Sequence, residues 1–304
     1  MIEDTGFLTG VGGRRIFWHS WAPAALTTSA TPTAPTASAT PPRALVVLVH
    51  GAGEHSGRYG HVVGRLTSEG YAVHALDHRG HGRSDGHRAL IEAMDDVVRD
   101  VDSFVDRAVA AEPGLPVFML GHSMGGLIGL RYALAHQERL AGLILSAALA
   151  AIDAVPKPLE LVGRALSVIA PRTPLIAIDP ALISRDQAVV QEYRTDPLVH
   201  HAKLPARTAA QLADAVASLP MTVGTITLPT LILYGTADGL CPPAGSEMLA
   251  QRIGSADTTV KVYDGLFHEI LNEPERETVL DDIVGWLAAR VPAAEPDVAG
   301  SSRT

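Results

Sequence analysis

The chain reads as an α/β fold, a mainly parallel central sheet with helices on both faces and a helical cap inserted into it. Three observations predict this. Short apolar runs alternate with segments whose apolar residues recur at three-to-four spacing, the pattern of strands joined by crossover helices. One serine flanked by glycines stands where such a run turns into a helical segment. The alternation also breaks once, for about 80 residues, where a crossover helix with its loops takes roughly 20 to 25.

In chain order, Phe7 to Trp18 reads as a hairpin turning at Gly12-Gly13, and Ala44 to His50 as a continuous Leu/Val run typical of a central parallel strand. Further strands are expected at Ala72 to Leu76, Pro116 to Leu120, Gly142 to Ser146, Thr230 to Tyr234 and Val260 to Tyr263. Helices are expected at Tyr59 to Glu69, Ala93 to Ala111, Met124 to His136, Gly245 to Ile253 and Arg276 to Arg290. The break after Ser146 holds Leu159, Leu161, Val162, Leu166, Val168 and Ile169, then Pro171, Pro174 and Pro180, which stop any long helix. A cap over the carboxyl edge of the sheet fits, because ligands of open α/β sheets bind at that edge. The expected division is a core at 1–149, a cap at 150–226, the rest of the core at 227–292 and a frayed tail at 293–304. Residues 27–42 are all Ala, Ser, Thr or Pro and read as a flexible surface insertion.

Composition narrows the function. Hydrophobic residues make up 47% of the 304 residues and charged ones 19%, a globular balance. The net charge of −9 argues against nucleic acid and against electrostatic docking on anionic lipid, both of which need clustered Lys and Arg. The lone Cys241 rules out internal disulfides and cysteine-paired zinc sites. The acidic start, Met1-Ile2-Glu3-Asp4, lacks the basic region of a signal peptide, and the longest apolar run, Leu143 to Ile152, is half of the roughly 20 residues that span a bilayer. A cytoplasmic location is expected.

The chemistry centres on Gly121-His122-Ser123-Met124-Gly125, which fits the G-x-S-x-G nucleophile elbow between a strand and a helix. A serine on so tight a turn is strained, and side chains two residues either side of it would strike the neighbouring strand and helix. The helix amino end favours negative charge beside the serine oxygen. Serine needs a histidine base, itself oriented by a carboxylate. His136 lies about 20 Å along the same helix, and His200 and His201 fall in the cap. His268 follows the last strand and is the expected base. Asp238, just past the next-to-last strand, is the expected acid, with Asp153 competing for that role and Asp264 too close to His268 in sequence. The order Ser123, Asp238, His268 is that of an α/β-hydrolase triad. Backbone N–H groups of Met124 and Ala52 are the expected oxyanion donors.

Competing motifs are weaker. A dinucleotide fingerprint beginning at Gly51 would need glycine where Ser56 stands. His78, His81 and His87 crowd one turn, but no accompanying carboxylate cluster supports a metal. Cys241 reads as a cavity-lining thiol rather than a nucleophile.

The extended motifs His50-Gly51-Ala52-Gly53-Glu54-His55-Ser56-Gly57-Arg58-Tyr59, Asp77-His78-Arg79-Gly80-His81-Gly82-Arg83-Ser84 and Gly121 to Gly126 resemble the monoacylglycerol lipase family of serine α/β-hydrolases. Gly235-Thr236-Ala237-Asp238-Gly239-Leu240-Cys241 and Tyr263 to His268 continue the resemblance, which spans roughly residues 5–290. It implies hydrolysis of a monoacylglycerol to glycerol and fatty acid without a metal or organic cofactor, with Ser123, His268 and Asp238 as the triad. It also implies an apolar cap that forms the acyl tunnel and touches membranes transiently, and leaves the oligomeric state open. Glu54, Arg58 and Tyr193 match family positions that hold the glycerol hydroxyls. A further family histidine, three positions past the catalytic one, is Leu271 here, and the 27–42 insertion is foreign to the family. The triad alone also fits a lysophospholipase, thioesterase or carboxylesterase, or a hydrolase-fold ligand receptor without turnover.

Overall fold

A computed structural model describes residues 1–23, 41–153 and 156–291. Most of the expected 27–42 insertion and the whole expected 293–304 tail lie outside the described residues. The elements run β1 (Ile2–Thr9), β2 (Arg15–Ala22), β3 (Leu45–Val49), α1 (Gly60–Ser68), β4 (Ala72–Leu76), α2 (Met94–Ala111), β5 (Val117–His122), α3 (Met124–His136), β6 (Gly142–Ser146), α4 (Lys157–Ile169), β7 (Pro174–Ile176), α5 (Gln187–Thr195), β8 (Leu204–Pro205), α6 (Ala206–Thr222), β9 (Thr230–Gly235), α7 (Pro243–Arg252), β10 (Thr258–Tyr263) and α8 (Arg276–Ala288).

Eight strands form one sheet in the order β1-β2-β4-β3-β5-β6-β9-β10. β4, β3, β5, β6, β9 and β10 pair parallel, while β1 and β2 add an antiparallel edge. The hairpin is longer than Phe7 to Trp18, since Ile2 pairs with Ala22, because β2 buries side chains on both faces, Ile16 and Trp18 on one and Trp21 on the other. β10 likewise starts two residues early, as Thr258 and Thr259 pair with Thr230 and Leu231. β-branched threonine suits that pleated position, which periodicity of apolar residues alone misses.

Leu45 to Val49 are fully buried, which accounts for an uninterrupted apolar run in place of alternation. α1 and α8 cover one face through Val62, Val63, Leu66, Val279 and Ile283. α2 and α3 cover the other through Val97, Val101, Phe104, Leu127 and Leu130. Each such side chain contributes about 1.5–3 kcal/mol by leaving water. α2 also carries Asp95 and Asp96 in its first turn, where the helix dipole favours acids.

Between β6 and β9 lie α4, the small antiparallel β7–β8 pair, α5 and α6. α6 is fastened to the core: Thr208 Oγ1 accepts the Ile91 N–H at 2.9 Å and donates to Ala89 O at 2.7 Å. Among the described residues no helix is long and apolar enough to cross a membrane. The parallel strands β3, β5, β9 and β10 all end at one edge of the sheet, and the loops leaving that edge carry Ala52, Ser123, Asp238 and His268.

Candidate active site

β5 passes into α3 through Ser123, whose φ of 56° and ψ of −120° lie in a region non-glycine residues rarely adopt. Close packing enforces the turn. A Cβ on Gly125 would sit 2.0 Å from Val49 O, and one on Gly121 2.4 Å from Gly125 O, so neither position admits a side chain. The Ser123 N–H donates to Ser146 O at 3.0 Å, anchoring the elbow to β6.

The loops after β9 and β10 bring two side chains to this serine. His268 Nε2 lies 2.9 Å from Ser123 Oγ, and His268 Nδ1 lies 2.8 Å from Asp238 Oδ2. The other carboxylate oxygen, Oδ1, accepts the Leu240 and Cys241 N–H groups at 2.8 Å each. With Nδ1 donating to Asp238, Nε2 presents its lone pair to the serine hydroxyl. Burial opposes charge on both partners, yet the net shift on each favours the charged form: the Asp238 hydrogen bond and charge, then Glu269 and Glu54, raise the His268 pKa, and the bond to His268 with two backbone amides lowers that of Asp238.

Among the described residues, neither the Ala52 nor the Met124 N–H has a protein acceptor. Both residues line a cavity of 310 Å³ together with Ser123 and His268. Its walls are mainly apolar, with Leu149, Ile152, Ile176, Ile178, Leu204 and Leu212 prominent. Cys241 is buried with its sulfur 3.9 Å from Ser123 Oγ, and burial pushes its thiol pKa up, away from the reactive thiolate.

The three residues matched to glycerol recognition separate. Tyr193 and Glu54 line the cavity, whereas Arg58 does not. Arg58 donates to Glu54 Oε2 at 2.9 Å and, in bidentate fashion, to Glu269 Oε1 and Oε2 at 2.6 and 2.8 Å. Glu54 Oε1 accepts the Gly51 N–H at 2.6 Å and the Tyr59 hydroxyl at 2.7 Å. Burial opposes its ionisation, but Arg58 and the neighbouring histidines hold its pKa at about 2. Glu269 is the residue that motif reasoning missed; its signal is an acid directly after the candidate base. Leu271 is buried, and its carbonyl accepts from His61 Nε2 at 2.6 Å.

Other candidates lie apart. Asp153 is exposed at the cavity rim, and Asp264 accepts from Thr236 Oγ1 at 3.0 Å. His136 stacks on Tyr132, and His200 and His201 face the carbonyls of Lys203 and Asp196. His78 and His81 are buried beside His50, with ring centroids 4.4 and 5.4 Å from it, while His87 faces Arg88 O. Among the described residues no three such side chains are grouped to hold a metal.

This geometry can be set beside known proteins. The family described as serine aminopeptidase, S33 matches residues 40–275. The chain is 41% identical over 283 residues to a monoacylglycerol lipase of Mycolicibacterium smegmatis, covering 93% of this chain and 96% of that one. It is 34% identical over 296 residues to the monoglyceride lipase of Homo sapiens, covering 96% and 93%. Among solved structures, the monoacylglycerol lipase of Paleococcus ferrophilus superposes with a TM-score of 0.78 at 31% identity, covering 90% of this chain and 99% of that one. The chain therefore belongs to the monoacylglycerol lipase family of serine α/β-hydrolases.

Proposed function

We propose that the protein hydrolyses monoacylglycerols to glycerol and free fatty acid through an acyl-enzyme. The single observation that carries this reading is the Ser123–His268–Asp238 hydrogen-bonded chain beside the cavity, whose walls are apolar. Ser123 Oγ attacks the ester carbonyl as His268 takes its proton, and the Ala52 and Met124 N–H groups receive the oxyanion. His268 then protonates the departing glycerol oxygen. Water, deprotonated by His268, attacks the acyl-enzyme and releases the fatty acid. Asp238 holds the imidazole and balances its transient charge.

The cavity suits an acyl chain, whose binding would draw about 0.8 kcal/mol from each buried methylene. An aminopeptidase reading, which the family description would allow, needs a free carboxylate to receive a substrate ammonium. Of the three acids lining the cavity, Glu54 and Glu269 are committed to Arg58, and Asp153 stands exposed at the rim. Tyr193 stands at the cavity wall as a candidate head-group contact. The cap would meet a lipid surface through α4, where Leu159, Leu161, Val162, Val168 and Ile169 are exposed. With a net charge of −9, that contact is apolar rather than electrostatic and favours neutral glycerides.

The test is a comparison of kcat/KM for a monoacylglycerol, a triacylglycerol and a lysophospholipid of equal chain length. The monoacylglycerol is expected to lead by about tenfold or more. A higher value for the lysophospholipid would replace this reading by a phospholipase one.

A further inference from the structure

We propose that Arg58 and Glu269 form a positioning bridge that locks the oxyanion loop to the loop carrying His268, and that Arg58 acts through this bridge rather than by touching substrate. The proposal rests on the hydrolase reading above and goes beyond it. It departs from the glycerol-binding role that the family resemblance implies for Arg58.

The geometry supports it from both ends. Arg58 Nη1 and Nη2 both reach Glu269, and Nη1 also reaches Glu54, with all three side chains at most 7% exposed. The guanidinium lies 4.9 Å from the centre of the Tyr193 ring, so its face is occupied as well as its edge. On one side, Glu54 fixes the Gly51 N–H, the amide immediately before the candidate oxyanion donor Ala52. On the other, Glu269 follows His268 directly, and its Oε2 also accepts from Asn272 Nδ2 at 2.8 Å. One rigid, planar cation thus spans two loops that approach the serine from different strands. Only arginine offers the forked donors that hold two carboxylates at once.

The bridge is also unbalanced, since two carboxylates face one guanidinium. The surplus negative charge sits against the base. His268 is faced by Asp238 from the loop after β9, by Ser123 and His122 from the elbow, by Cys241 beside the serine, and by Glu54 and Glu269 from the bridge. Removing the Glu269 charge should therefore lower the basicity of His268. The limb of kcat/KM on which the free enzyme's base becomes protonated then moves to lower pH.

The experiment measures kcat and KM between about pH 5 and pH 9 for wild type, Glu269→Gln and Arg58→Lys. Two esters are used, a monoacylglycerol and p-nitrophenyl butyrate, which carries no glycerol. Expected for both variants is a fall in kcat of about tenfold, equal for the two esters, with KM changed by less than about threefold. In Glu269→Gln the acidic limb is expected to move down by about half a pH unit. A loss confined to the monoacylglycerol and expressed in KM would show Arg58 holding the head group directly and overturn the bridge. So would an unmoved limb accompanied only by a lower melting temperature. If Glu269→Gln fails to fold, the ratio of losses on the two esters in Arg58→Lys still decides. A wild-type chain that cleaves neither ester overturns the hydrolase reading itself, a result visible before any variant is made.

Discussion

The floor of the cavity and its roof present opposite surfaces to water. On the floor, His122, Asp238, His268 and Glu269 are at most 8% exposed, and each has a hydrogen-bond partner from another strand or loop. On the roof, α4 leaves Leu159, Leu161, Val162, Val168 and Ile169 between 54% and 78% exposed. Polar groups are thus buried where the proposed chemistry needs a fixed, low-dielectric setting, and apolar groups are exposed on the helix proposed to meet lipid. A deletion on the floor should abolish turnover for every ester, whereas a change on the roof should alter only how lipid-borne substrate is reached.

The largest expected effect is on the floor. Ser123→Ala should lower kcat by about 10⁴-fold or more on any ester with KM little changed, as steady-state assays would read; wild-type turnover in that variant would remove the serine from the chemistry. Next comes a matched pair of glycine substitutions. Gly125→Ala places its Cβ 2.0 Å from the Val49 carbonyl and should cost roughly 3 kcal/mol in urea unfolding. Gly163→Ala in α4 meets nothing nearer than Leu175 at 3.7 Å and should stabilise by up to about 1 kcal/mol through helix propensity. Equal losses at the two sites would erase the contrast between a tight floor and a loose roof. The smallest effect belongs to Leu161→Ser combined with Ile169→Ser. Sedimentation with phosphatidylcholine vesicles should show about tenfold weaker binding, while turnover of p-nitrophenyl butyrate stays within about twofold. Binding that instead collapsed with added salt would make the contact electrostatic.

The same contrast sets what could be read without coordinates. Ser123, its two glycines and the strand-to-helix passage are local, because sterics within a few residues dictate them. Asp238 and His268 follow from their places after successive strands, since parallel strands end at one edge. β4, β6 and α3 have the bounds that periodicity predicts, as each is bracketed by turn residues. The bridge was not legible in this way. Arg58 and Glu269 lie 211 residues apart, and nothing in either neighbourhood states which acid the arginine faces. Cap architecture was legible only as an interruption rich in proline and aliphatic residues, because a two-stranded pair as short as β7–β8 carries no periodicity.

One strip of the cap is sewn to the loop after β10. The Glu269 N–H donates to Ile183 O at 2.7 Å, Ser184 Oγ donates to Asn272 O at 3.0 Å, and Arg185 donates to the fully buried Glu273 through its N–H and Nε at 2.8 and 2.6 Å. This seam acts as the hanging side of a door. Lifting the cap there would drag on the backbone beside His268, because the Glu269 N–H is one of its stitches. Any opening of the cap that spares this seam therefore also spares the backbone that carries the proposed base.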